Sequence, residues 1–245
     1  MTALTAELSP QWWIRPGVGG PYGGRIMALL VRALAAAVDD EERPLRSLSV
    51  HFVDAAEPGA VEVTATVERV GRSSTTASLR MEQRGRPVAL ALAGCATWRA
   101  GEPEWLDAEM PAAPPPEQCD PVERRGDMPP FLDMLDVRFV AAGPGARNLA
   151  WVRPGAAGEW DMESLVLVSD TWMPAAFARL GHPAVVPTVD LTVHVRAPLP
   201  AGEDHLLAAF SSRAAAGGAW EEDGELWTRD GTLVAQSRQL ALIRA

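Results

Sequence analysis

The chain has 245 residues, enough for one large domain or two of ordinary size, and a formal charge of −10 with every positive charge carried by arginine. Its hydrophobic share of 47% is that of an ordinary soluble globular protein, and its acidity argues against nonspecific nucleic-acid binding, which needs basic patches against phosphates. Two cysteines are too few for a disulfide scaffold, and four histidines without ligand spacing give no metal site.

Along the chain, Met1 to Pro10 lacks a basic region followed by an apolar run, so no signal peptide is expected. Pro10-Gln-Trp-Trp13 then leads into a glycine cluster from Gly17 to Gly24. Ile26, Leu29, Leu30, Ala33, Leu34 and Ala37 recur at helical spacing and predict one amphipathic helix ending near Asp39. That stretch holds Arg32 and is too short to span a bilayer, so the expected location is cytoplasmic, without a membrane partner. Strands are predicted at 45–54, 60–70, 73–84 and 87–98. In the second of these Val61, Val63, Ala65 and Val67 alternate with Glu62, Thr64, Thr66 and Glu68, the pattern of a sheet with one wet face. Cys95 falls in an apolar strand and reads as a core residue.

Prolines from Pro103 to Pro129 mark a linker, in which Cys119 is expected to be exposed. The boundaries drawn are 1–99 for a first module, 100–128 for the linker and 129–245 for a second module. The second opens with strands predicted at Phe131–Val140 and Asn148–Arg153. A helix over Ser164–Leu180 should be kinked or divided by Pro174. Strands follow at about 187–196, 204–214, 219–229 and 232–244, the last two joined by a hairpin at Asp230-Gly231.

The two halves repeat one plan. Ser47-Leu-Ser-Val-His51 matches Asp190-Leu-Thr-Val-His194, and Gly85–Ala100 lines up without a gap against Asp230–Ala245. Under this alignment Asp190 stands where the first copy has Ser47, and Gln239 where it has Gly94. A duplicated scaffold keeps packing residues in both copies but needs reactive groups in only one. The fold class is therefore α+β: each half is a long helix followed by an antiparallel meander, and the halves could pair edge to edge.

This layout resembles the double-hotdog acyl-CoA thioesterase family, the thioesterase II-like group. The resemblance is carried by Val189-Asp190-Leu-Thr-Val-His194-Val-Arg196-Ala-Pro198, Trp227-Thr-Arg-Asp-Gly231-Thr-Leu-Val-Ala235 and Gln239, with Tyr22-Gly23-Gly24 and Arg69-Val-Gly71-Arg72-Ser73 in the first half. It covers nearly the whole chain. It implies two tandem hotdog modules, each a helix wrapped by an antiparallel sheet, that hydrolyse an acyl-CoA or related acyl thioester. It also implies an acid, a glutamine and a hydroxyl residue holding the attacking water. Asp190 matches the acid and Gln239 the glutamine, but the hydroxyl position falls on Arg213. Ser211 and Ser212 are the nearby candidates, Ser211 on the face of Arg213 and Ser212 on the opposite one. No cofactor is implied, since coenzyme A enters as part of the substrate, and the resemblance leaves room for association of two or more chains.

The chemistry of these groups fits the role. A carboxylate within hydrogen-bond reach can take a proton from water, which suits Asp190; the plainer reading is a solvated strand-end aspartate. Gln239 could position that water or donate to the substrate oxygen, or be a polar residue on a wet strand face. Gly23 and Gly24 at a helix start could aim backbone N–H groups at an oxyanion beside Tyr22, or simply form a tight turn. His51 and His194 occupy matching places in both copies and read as structural. Asp170 could face the site or be a hydrogen-bonded helix aspartate. Trp12, Trp13, Trp160 and Trp172 are candidates for an acyl pocket or for core. No Gly-x-Ser-x-Gly elbow and no phosphate-binding loop is present. Two other readings stay open: an acyl-thioester binding protein with little turnover, and a hotdog hydratase or dehydratase.

Overall fold

The computed structural model describes all residues except 16–17, 100, 103, 124–125, 127, 142–144, 156–158, 171–172, 181–185, 203 and 244–245. Trp172 lies outside the described residues. The first half contains β1 (Thr2–Leu8), the short hairpin β2 (Trp13–Arg15) and β3 (Val18–Pro21), α1 (Gly23–Val38), β4 (Leu45–Phe52), β5 (Gly59–Val70), β6 (Ser74–Gln83) and β7 (Arg86–Ala96). The second contains β8 (Leu135–Ala141), β9 (Ala146–Pro154), α2 (Met162–Val168), α3 (Phe177–Leu180), β10 (Thr188–Val195), β11 (Leu206–Ser212), β12 (Ala215–Ala216), β13 (Ala219–Trp227) and β14 (Leu233–Leu242).

All strands but the β2–β3 hairpin join one antiparallel sheet in the order β1-β5-β6-β7-β4-β10-β14-β13-β11-β9-β8, with β12 on β13. The halves meet edge to edge through β4 and β10, so two modules share one continuous sheet. The junction is pseudo-twofold: Ser49 pairs with its sequence equivalent Thr192, and the Thr192 hydroxyl donates to the Ser49 hydroxyl at 2.9 Å. On either side Asp190 faces His51 and His194 faces Ser47.

The sheet curls around α1 because alternate residues on its inner face are apolar. Val61, Val63 and Ala65 of β5 are buried, as are Leu191, Val193 and Val195 of β10. Ile26, Met27, Leu29, Leu30, Ala33 and Leu34 bury the facing stripe of α1, each leucine worth about 1.5–3 kcal/mol. The helix ends where Asp39 turns left-handed at φ 47° and its N–H bonds the Ala35 carbonyl.

Several elements differ from the sequence expectation. Residues from Phe131 begin a 3-10 turn, Pro130–Met134, rather than a strand, because two prolines lock its start, and β8 begins only at Leu135. The second helix is divided: α2, capped by Asp161 and Ser164, stops at Val168, and Pro174 separates it from α3. The proline-rich segment is no free linker. Ala108, Met110 and Ala113 pack with Cys119 on Trp151, Leu207, Trp227 and Leu233, covering the outer sheet face, and the Trp151 indole donates to the Pro114 carbonyl at 2.8 Å. Cys119 is consequently buried, not exposed. Trp12, Trp13 and Trp160 belong to the main core.

Candidate active site

The site is built where the start of α1 crosses the end of α2. Tyr22 is buried, with its ring stacked on Phe131 at 4.0 Å between centroids. Its hydroxyl lies 2.8 Å from the Leu167 carbonyl and 2.7 Å from that of Asp170, so one phenolic proton is shared between two acceptors at the end of α2. Burial, and then the charges of Asp170 and Glu222, push this phenol well above its ordinary range, keeping it neutral and a donor.

Gly23 and Gly24 allow the helices to approach. A Cβ on Gly24 would stand 2.3 Å from the Leu167 carbonyl oxygen, and one on Gly23 would stand 2.9 Å from the Asp170 carboxylate. The Gly24 N–H differs from expectation: it is not open to an oxyanion but donates to Asp170 Oδ2 at 2.9 Å. The physical reason is the positive end of the helix dipole, which attracts the nearest carboxylate. Asp170 is thus a buried, hydrogen-bonded aspartate facing this interior polar centre from the far module, an arrangement that fits both of its readings.

A second buried polar group lies on the inner sheet face. Gln239 of β14 sits across from Glu222 of β13 on one side and Leu191 of β10 on the other. Its Nε2 donates to Glu222 Oε1 at 2.9 Å and its Oε1 accepts from the Thr188 hydroxyl at 2.9 Å. Glu222 is 1% exposed and also accepts the Ala175 N–H, at 2.6 Å, just past Pro174. Asn148 donates to the Met173 carbonyl at 2.8 Å, so two buried side chains satisfy the backbone at the helix break.

Asp190 borders an open cleft of about 540 Å³ together with Gln239, Leu240, Arg213, Ala214, Glu221 and Arg238. Among the described residues no hydrogen bond or ion pair engages its carboxylate. Just past a bulge between Thr188 and Asp190, Asp190 pairs with Leu240 rather than with Gln239. In the first module the equivalent residues, Ser47 and Gly94, do pair directly. One residue of slip turns the Asp190 and Gln239 side chains toward opposite faces, although both border the cleft. His51, equivalent by repeat to His194, is the direct cross-strand neighbour of Asp190, which the repeat argument alone did not reveal.

Arg213 is largely exposed and bonds Asp223 at 2.9 Å, an aspartate it shares with Arg238. Ser212 follows Phe210 on the inner face of β11, and Ser211 pairs with Asp223 and Arg147. Arg213 and Ala214, not the two serines, border the cleft. Sequence reasoning missed Glu222 and Thr188. The signal for Glu222 was available: it shares the alternation of Trp220, Gly224 and Leu226, all buried, where a charge is out of place. Among the described residues no three His, Cys, Asp or Glu side chains converge as a metal site, and no helix is long and apolar enough to cross a membrane.

Residues 9–96 match the model of the acyl-CoA thioesterase N-terminal domain, and residues 116–243 that of the acyl-CoA thioesterase C-terminal domain. The chain belongs to the acyl-CoA thioesterase family, and with it to the thioester hydrolases of double-hotdog fold. It is similar to an uncharacterized protein of Mycobacterium tuberculosis, 28% identical across 98% of this chain and 90% of the relative. Among solved structures, a conserved protein of unknown function with a hotdog fold from Alicyclobacillus acidocaldarius superposes with a TM-score of 0.88 at 26% identity, covering 100% of this chain and 94% of that one. An acyl-CoA thioesterase II from Mycobacterium marinum superposes at 0.75, with 23% identity over 90% of each chain, a likeness of fold.

Proposed function

We propose that the protein hydrolyses acyl-CoA thioesters to the free acid and coenzyme A in the cytoplasm, with Asp190 as the base and Gln239 supporting it from the opposite face of the sheet. The observation that carries this reading is the Asp190 carboxylate, unengaged by any described residue and bordering the open cleft. Asp190 takes a proton from water as the oxygen attacks the thioester carbon. The carbon–sulfur bond then breaks, and the departing thiolate takes the proton. A base in this role contributes about 10²- to 10⁴-fold. Tyr22, Gly23 and Gly24 contribute by closing α1 onto α2 beside Asp170 rather than by cradling substrate in the open. No metal or redox cofactor enters this chemistry.

The second reading, acyl-thioester binding with little turnover, draws on Arg213, which occupies the hydroxyl position and is held by Asp223. Thiol release from acyl-CoA esters of increasing chain length, by wild type and Asp190→Asn, separates the two. Turnover that collapses in the variant is expected. Binding without turnover in the wild type would favour the binding protein, and turnover surviving in Asp190→Asn would remove Asp190 from the site.

A further inference from the structure

We infer that Glu222 is a positioning residue that fixes the orientation of the buried Gln239 amide, its nitrogen toward Glu222 and its oxygen toward Thr188. The inference rests on the reading that Gln239 acts in hydrolysis.

An amide side chain has two ends of similar shape and opposite hydrogen-bonding character, so a buried glutamine is set only by its partners. Thr188 does not set it, because a hydroxyl can donate to the oxygen or accept from the nitrogen. Glu222 does. Its Oε2 accepts the Ala175 N–H at 2.6 Å and its Oε1 accepts Gln239 Nε2 at 2.9 Å. A carboxylate held as a double acceptor would repel the Gln239 oxygen, which leaves that oxygen on the Thr188 side, toward the bulge that carries Asp190. Two charge-assisted hydrogen bonds in a buried setting are the stronger kind, so the preference is steep.

The placement of Glu222 joins two parts of the fold. Its backbone lies directly across from Gln239 in the sheet, and its carboxylate reaches the backbone of the segment after Pro174. The proline break in the second helix therefore supplies the N–H that anchors Glu222, and Glu222 in turn anchors the glutamine. Position 222 otherwise continues an inward apolar pattern, and a buried charge there without such use would be costly.

Glu222→Gln separates positioning from simple support. A glutamine at 222 offers one oxygen where the glutamate offers two. It can keep the Ala175 bond and turn its own N–H₂ to Gln239, which must then flip. The full-length wild type, Glu222→Gln, Glu222→Ala, Gln239→Ala and the Glu222→Ala/Gln239→Ala double variant would be compared for kcat and KM, using the acyl-CoA ester that the wild type releases fastest, and for Tm. The expected result is a kcat loss of about 10²-fold in Glu222→Gln, the scale of a misplaced group, with KM near wild type and Tm little changed. The double variant should lose no more than its worse single parent, because both changes remove one unit. Wild-type kcat in Glu222→Gln, or losses that multiply in the double variant, would overturn the inference. The side-chain ¹⁵N–H₂ signals of Gln239, assigned by their absence in Gln239→Ala, read orientation without turnover. They should move in Glu222→Gln, and unchanged signals overturn the inference as well. If Gln239→Ala keeps full kcat while these signals still move, the role of Gln239 in hydrolysis is what fails, and Glu222 still orients it.

Discussion

Replacing Gly24 by alanine tests whether the site depends on the close crossing of α1 and α2. The added Cβ would stand 2.3 Å from the Leu167 carbonyl oxygen and 2.7 Å from the Tyr22 ring. The nearer obstacle is backbone and cannot swing aside, so α1 must retreat by roughly 1 Å to reach ordinary contact. Such a retreat stretches the Gly24 N–H bond to Asp170, now 2.9 Å, and the two contacts of the Tyr22 hydroxyl. Loss of a hydrogen bond to a buried charged group costs about 1.5–3 kcal/mol, and overpacking of this kind adds about 1–3 kcal/mol. Alanine's better helix propensity returns at most about 1 kcal/mol. The net destabilisation is about 1.5–5 kcal/mol, which at about 2–4 °C per kcal/mol for a chain of this size lowers Tm by about 3–20 °C. Thermal and urea unfolding followed by circular dichroism measure it. Gly126→Ala, where an added Cβ meets nothing within 4 Å, serves as the control and should stay within about 0.5 kcal/mol. A Gly24→Ala protein as stable as that control would refute the crossing argument.

Both cysteines should resist labelling in the native state. They are buried, and burial pushes the Cys95 thiol up to about 11, so the reactive thiolate is scarce at pH 8. Ellman's reagent should find no fast thiol in the folded protein and both after denaturation in guanidinium chloride; one fast equivalent in native buffer would contradict the packing of Cys95 or Cys119. His205 should make the protein acid-sensitive. Burial lowers its pKa, against the pull of Asp136 at 3.2 Å, while Arg153 and Arg138 lower it further. The unfolded state therefore takes up the proton first. The stability contributed by neutral His205 is full above the unfolded value near 6.5 and declines as pH falls through it. Unfolding free energies from pH 7 to pH 5 should slope less steeply in His205→Gln, and an unchanged slope would remove His205 as the cause.

The repeat and the periodicities were legible because they are local. Alternation in β5, the apolar stripe of α1 and the Asp-Gly turn before β14 each need only a few neighbouring residues to be recognised. The turn is realised with Gly231 at φ 88° and the Thr228 N–H on the Thr232 carbonyl. Pairing of the modules edge to edge followed from the duplicated plan, and β4 meets β10 accordingly. Strand β1 and the β2–β3 hairpin went unread, since one is marked by only a few apolar residues and the other is written in glycine and tryptophan.

The amino-acid sequence by itself determined two copies of one helix-and-meander module, the positions of Asp190 and Gln239 within the second, and the break at Pro174. Each depends on spacing along the chain. Tertiary structure alone decided that Asp170 occupies the Gly24 N–H, that Asp190 pairs with Leu240 beside His51, and that Glu222 holds Gln239. Those outcomes turn on the register of β10 against β14 and on contacts between residues up to 146 positions apart, where a slip of one residue exchanges the faces of a strand.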